Sequence, residues 1–294
     1  MLAQTSKMRC ACGPGHVEKT LAPSILASII GCMNNHDLES KKFDRRSFLK
    51  SSGVVLGTGV LAGSAPAIAA DAWPVPRHDL VKEQDVVLFQ GDSITDWGRS
   101  RENAGIPNDQ KALGTGYAWL AGVELLVDRP KDGLKIFNRG ISGNKVFQLA
   151  ERWQADCLDL KPNVLSILIG VNDFWHTLTG KYQGTVEIYE RDYRALLERT
   201  RAALPKVKLV ICEPFVLRCG VINGKWFPQF NAYQAAARRM AEVFHATFVP
   251  FQAIFDQAVR YAPPEHWSKD GVHPSDMGSS LMAQTWLRTV AGKK

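Results

Sequence analysis

Cysteine is scarce in this 294-residue chain: six residues, of which only Cys157, Cys212 and Cys219 lie beyond the first seventy positions. Three thiols make no disulfide framework, and without a Cys-x-x-Cys pair there is no redox motif or zinc knuckle. The histidines are scattered. His78, His176, His245 and His266 show no His-x-x-x-His spacing, so no metal site is expected. A glycine-rich phosphate loop and a dinucleotide fingerprint are also missing, so no cofactor is expected. No Lys/Arg run with interleaved aromatics appears, which sets nucleic acid aside as a partner. Internal repeats and low-complexity segments are absent. What remains is an ordinary globular composition, 45% hydrophobic and 22% charged, sized for one substantial domain.

The first seventy residues read differently from the rest. Asp44-Arg45-Arg46-Ser47-Phe48-Leu49-Lys50 precedes an uncharged stretch, Ser51 to Ala70, that ends in small residues. This layout predicts a signal peptide, and the paired arginines resemble the twin-arginine signal that sends folded proteins across the bacterial inner membrane. Four glycines and a proline make that stretch too weakly apolar for a stable membrane anchor. Ile29-Ile30-Gly31-Cys32 has the form of a lipid-attachment site, but the twin arginines lie downstream of it. Met33 is an alternative start, and residues 1–32 are given no part in the fold. Residues 1–70 are thus expected to be an extension and export signal, with residues 71–294 as the periplasmic or secreted domain. Removing the signal takes away eight Lys/Arg and four Asp/Glu and lowers the net charge from +7 to +3. Folding in a reducing cytoplasm before export favours buried free thiols over a Cys212–Cys219 bridge.

From residue 85 onward short apolar runs alternate with longer amphipathic stretches, the pattern of an α/β fold with a parallel sheet and crossover helices. Strands are expected at Asp85–Gln90, Leu134–Asn138, Asn163–Ile169, Val207–Cys212 and Thr247–Pro250. Their near-continuous apolar character fits burial on both faces. Helices are expected at Tyr117–Asp128, Lys145–Leu160, Thr185–Leu204, Phe230–His245 and Asp276–Val290. The insert Arg218–Pro228 reads as an active-site loop.

Ligands of open α/β sheets bind beyond the carboxyl ends of the strands, so the residues that follow each strand matter most. They are Gly91-Asp92-Ser93-Ile94-Thr95, Asn138-Arg139-Gly140-Ile141-Ser142-Gly143-Asn144 and Gly170-Val171-Asn172-Asp173, with Asp270-Gly271-Val272-His273-Pro274 late in the chain. A nucleophile elbow of the α/β-hydrolase kind needs glycine two residues after the serine, and Thr95 stands there. Structural readings exist for each block singly: Gly-Asp-Ser as a helix N-cap, Asn172-Asp173 as a turn, His273-Pro274 as a loop before the last helix.

Taken together and in order, from about Val87 to Ala291, the four blocks resemble the SGNH (GDSL) hydrolase family. The resemblance implies a three-layer α/β/α flavodoxin-like fold around a mainly five-stranded parallel sheet. It names Ser93, Gly140, Asn172 and His273 as the four signature residues. Acyl transfer needs a nucleophile, a base, a group that orients the base, and donors for the oxyanion. Ser93, His273 and Asp270 fill the first three roles. The N–H groups of Ser93 and Gly140 and the Asn172 side-chain amide fill the fourth, while Asp92, Asp96 and Asp173 are assigned to turn-holding hydrogen bonds.

The wider blocks, including Gly114-Thr115-Gly116-Tyr117, Arg152-Trp153 and Asn172-Asp173-Phe174-Trp175, look like bacterial acetyl-xylooligosaccharide esterases and related carbohydrate deacetylases. Trp97, Trp175, Trp226 and Trp267 are expected in loops by the site, with Trp97, Trp175 and Trp267 as candidate substrate walls. The expected activity is hydrolysis of small acyl esters, acetyl foremost, on an oligosaccharide or other small molecule. A broad lysophospholipase- or thioesterase-like acylhydrolase and an exported, non-catalytic carbohydrate-binding protein are the alternatives.

Overall fold

A computed structural model describes residues 75–293. The export signal, the alternative start and the first four residues of the expected 71–294 domain lie outside the described residues. The five apolar runs form five parallel strands: β1 (Val86–Gly91), β2 (Lys135–Asn138), β3 (Val164–Leu168), β4 (Lys208–Cys212) and β5 (Thr247–Val249), in the order β2-β1-β3-β4-β5. Every residue of β3 is buried, as expected of a central strand covered on both faces, and its one polar side chain, Ser166, is engaged by a buried indole. β5 stops one residue short of the expected Pro250, which has no N–H to continue a ladder and instead precedes a helix.

The expected helices are present as α3 (Tyr117–Asp128), α4 (Val146–Asp156), α6 (Val186–Ala203), α7 (Gln229–Val243) and α10 (Asp276–Ala291). Of these, α4 ends before the expected Leu160: Cys157 leaves the helical region and a separate 3-10 turn spans Leu158–Leu160. Short helices α1 (Ser93–Asp96), α2 (Gln110–Leu113), α8 (Phe251–Ala258) and α9 (Pro264–Trp267) complete the set, together with α5 (Val171–Leu178). A two-turn helix at α5 replaces the turn considered for Asn172-Asp173, because eight residues are too few for the apolar period to stand out.

The helix pair α3 and α10 packs together, and α4, α6 and α7 form a second packed group, giving helix, sheet and helix layers. Buried indoles in each group find polar partners: Trp286 Nε1 donates to Ser166 Oγ on β3 (3.0 Å), and Trp153 Nε1 donates to Thr200 Oγ1 (2.9 Å). The strand order reverses direction at β1 and β3. There the carboxyl ends of two neighbouring strands feed connections that leave in opposite directions and open a crevice. Ser93 follows β1 and Asn172 follows β3.

Candidate active site

Local chemistry fixes each side of the crevice. At the end of β1, Asp92 caps α1, its carboxylate accepting the Ile94 N–H (3.0 Å), so that Ser93 becomes the first helical residue. Asp96, at the other end of α1, accepts the N–H and hydroxyl of Ser142 (2.9 and 2.8 Å). Arg99 Nε donates to the Gly140 carbonyl (2.7 Å). The loop after β2 is thereby tied to the turn that carries Ser93. Asp173 Oδ1 accepts the Val146 N–H (3.1 Å) and joins α5 to α4. All three acids take part in the turn-holding bonds expected of them.

The late block folds back to meet the serine 180 residues away in sequence. Ser93 Oγ lies 2.8 Å from His273 Nε2, and His273 Nδ1 lies 2.6 Å from Asp270 Oδ2. A proton on Nδ1 satisfies Asp270 and leaves Nε2 free to accept from the serine hydroxyl. The other Asp270 oxygen accepts the N–H groups of Val272 (2.9 Å) and His273 (2.7 Å). Partial burial pushes the Asp270 carboxyl up, but the hydrogen bonds from the His273 ring and from these two backbone groups outweigh it and hold the acid below its ordinary range. It stays ionised at neutral pH.

Behind this loop, the fully buried Ser268 hydroxyl accepts from Gly271 N–H (2.9 Å) and donates to the His273 carbonyl (2.8 Å). The insert expected as an active-site loop and the residue just before it brace the same turn, Val221 N–H donating to Asp270 O (3.0 Å) and Leu217 N–H to Gly271 O (2.8 Å). Gly220 is required there, since its φ is +56° and a Cβ would sit 2.4 Å from the Asp270 Cα.

The expectation for Gly140 is corrected. Gly140 N–H donates to Asn138 Oδ1 at 2.9 Å, so it is not available to an oxyanion. A Cβ on this glycine would meet Asp96 N at 2.4 Å, and the residue is a packing requirement. Three residues on, Gly143 has φ +81°, open space around it and an N–H with no acceptor among the described residues. It lies in the same sequence block, and the second glycine of that block is the signal that reading only the first one misses. Ser93 N–H is likewise unengaged among the described residues, and Asn172 Nδ2 makes one bond, to Asn144 O (3.3 Å), leaving its second hydrogen free.

The tryptophans separate. Trp97 and Trp175 flank the His273 ring at centroid distances of 6.0 and 6.5 Å. Trp267 is buried in the core with its Nε1 donating to Ala262 O (3.3 Å), so it is a packing residue and not the expected substrate wall. Trp226 is buried against Phe174 and Phe230. Trp175 and Trp267 sit in helices α5 and α9, not in loops. Among the described residues no group of three His, Cys, Asp or Glu could hold a metal, and no helix is long and apolar enough to cross a membrane. Cys157, Cys212 and Cys219 are free and buried. A depression of about 440 Å³ beside the triad is lined by Asp270, His273 and Met277; cavities of about 500 and 760 Å³ lie elsewhere and include no triad residue.

A family model for GDSL-like lipases and acylhydrolases matches residues 89–281, which span Ser93, Asn172, Asp270 and His273. The chain belongs to this family. It is 34% identical to an acetylxylan esterase of Geobacillus stearothermophilus over 207 residues, 69% of this chain and 93% of that protein. Among solved structures, a GDSL-like protein from Parabacteroides merdae shares 51% identity with a TM-score of 0.71, over 74% of this chain and 100% of the other. The G. stearothermophilus acetylxylan esterase matches at 31% identity and TM-score 0.65, covering 73% and 97%. Solved forms of that esterase include catalytic mutants in which a serine, an aspartate or a histidine is replaced by alanine. An ester hydrolase of this family is therefore an enzyme on the GDSL fold, with the parallel five-stranded sheet described above.

Proposed function

We propose that the chain is a serine esterase that removes acetyl and similarly small acyl groups from carbohydrate. The observation that carries this reading is the hydrogen-bonded line Ser93 Oγ, His273 Nε2, His273 Nδ1, Asp270 Oδ2, with links of 2.8 and 2.6 Å, at the sheet's switch point. Ser93 Oγ attacks the ester carbonyl carbon as His273 Nε2 takes the hydroxyl proton. The tetrahedral intermediate collapses to an acyl-serine, and the same proton passes to the departing alkoxide. Water, deprotonated by His273, then attacks the acyl-serine, releasing the carboxylic acid and returning the proton to Ser93 Oγ. Asp270, ionised, holds the imidazole and stabilises its charged form. The N–H groups of Ser93 and Gly143 and the free amide hydrogen of Asn172 serve the oxyanion, with Gly143 taking the role first expected of Gly140.

Sequence and structural kinship with an acetylxylan esterase supports a small acyl group and a sugar alcohol. The Trp97 and Trp175 indoles beside His273 supply flat apolar faces suited to a sugar ring. Export through the twin-arginine route belongs to the same reading, since it delivers a folded enzyme to where polysaccharide fragments arrive. The test compares p-nitrophenyl acetate with longer-chain p-nitrophenyl esters and with acetylated xylo-oligosaccharide, using Ser93→Ala as control. Acetyl preference and acetate release from the oligosaccharide, both lost in Ser93→Ala, are the expected result. Preference for long acyl chains, or full activity in the alanine variant, overturns it.

A further inference from the structure

Beside the catalytic crevice lies a buried cation whose presence the ester chemistry does not use. Lys145 follows the Gly143-Asn144 segment and is 7% exposed, yet it forms no ion pair among the described residues. Burying an ammonium without a counter-ion is costly, so such a residue is ordinarily paired. Its Nζ is held instead by neutral groups. His176 Nδ1 lies at 3.1 Å, the Gly143 carbonyl at 3.5 Å, and the rings of Phe147 and Tyr182 have centroids at 5.5 and 5.4 Å. The acid that acts on it, Asp173, is itself deeply buried and has its Oδ1 engaged by the Val146 N–H.

Burial and the neighbouring Lys145 and Lys181 charges push the His176 pKa down, which keeps its ring neutral at neutral pH. Accepting from Lys145 at Nδ1 then places the ring proton on Nε2, so the imidazole presents a second donor with no acceptor among the described residues. Phe147 and Tyr182, stacked 5.5 Å apart and half-buried, form an apolar wall next to these two donors.

The position is as telling as the chemistry. Two residues of chain, at most about 7 Å, separate Lys145 from Gly143. His176 lies one turn, about 6 Å, along α5 from Asn172. We infer that Lys145 and His176, walled by Phe147 and Tyr182, form a subsite for a carboxylate carried on the sugar, so that the preferred ester lies on or next to a uronosyl unit. The inference rests on the esterase reading for its location, but the recognition chemistry stands apart from catalysis. A carboxylate supplies the missing counter-ion, accepts from both Nζ and Nε2, and belongs to a ring that the aromatic wall can cover.

Binding to the cleavage-dead Ser93→Ala protein tests this without requiring turnover. By titration calorimetry, a xylose disaccharide bearing a glucuronosyl unit is expected to bind about tenfold more tightly than neutral xylobiose, as a charge-assisted hydrogen bond allows. The advantage should shrink when NaCl is raised from about 50 to 500 mM. Adding Lys145→Gln or His176→Gln should bring the ratio close to one, and Lys145→Arg should retain most of it. In the active enzyme the same preference should appear in KM more than in kcat. Equal binding of the two sugars, or a preference that survives in folded Lys145→Gln and His176→Gln proteins, overturns the subsite while leaving the esterase reading standing. Lys145-dependent binding without cleavage of any ester by the wild type overturns the esterase reading and not the subsite.

Discussion

Replacing Asp173 with Asn should remove a large part of the pH dependence of this protein's stability. Asp173 is fully buried, and burial raises its pKa from 3.8 to about 7 against the opposing effects of the Val146 N–H and of Lys145. The folded protein therefore keeps, between about pH 4 and 7, a proton that the unfolded chain has released. Stability contributed by that proton is complete below pH 4 and is lost as pH rises through 7. Three pKa units at 1.36 kcal/mol each make the loss roughly 4 kcal/mol, an upper figure of order-of-magnitude quality. Asn is close in shape to the protonated acid. Its Oδ1 can keep the Val146 bond, and its amide occupies the place of Oδ2, which has no partner in the native protein either. The variant should match the wild type near pH 4.5 and exceed it by a few kcal/mol at pH 8. Asp92, which burial chiefly pushes up to about 7, should titrate somewhat lower as well, because the Asp173 charge adds to that rise. Urea unfolding followed by tryptophan fluorescence across this range gives both curves, with a constant m-value securing the comparison. Parallel pH profiles for variant and wild type would refute the reasoning.

Two further outcomes follow from the site. Asn172→Ala should melt close to the wild type but lose about 10²–10³ in kcat, and Asp270→Asn, which permits the wrong imidazole tautomer, should lose on the order of 10⁴; both are read by steady-state kinetics on p-nitrophenyl acetate. Gly140→Ala should lower the melting temperature well below that of Gly143→Ala, because its Cβ would strike the Asp96 backbone, whereas alanine at 143 pays only about 1 kcal/mol for a positive φ and meets no atom within 4 Å.

The parts of this molecule that were legible in the sequence are those set by burial on two faces and by short-range spacing. β3 is legible because a doubly covered strand is apolar at nearly every position, with Ser166 the exception, and the meeting of Asp270 with His273 is legible because a three-residue separation lets one loop present both. What stayed hidden depends on where neighbouring backbone lies. Nothing in the string Gly140-Ile141-Ser142-Gly143 tells which glycine N–H is captured by Asn138 and which is left open. The four tryptophans are alike as letters, and only packing separates Trp97 and Trp175, beside His273, from Trp226 and Trp267 in the interior. Lys145 is hidden for the same reason: a lysine at the start of a helix is ordinarily solvated, and its place between Phe147 and Tyr182 depends on Tyr182, 37 residues farther along.

The span between Ser93 and His273 also has a temporal meaning. During synthesis the β1 turn with its serine is made early, whereas Asp270 and His273 emerge just ahead of α10, the helix whose Trp286 bonds to the centre of β3 and packs on Phe89 of β1. A growing chain thus carries the Ser93 hydroxyl without its His273 partner until nearly all of the sheet and its covering helices exist. On the proposed mechanism, hydrolytic power would therefore switch on as one of the last acts of maturation.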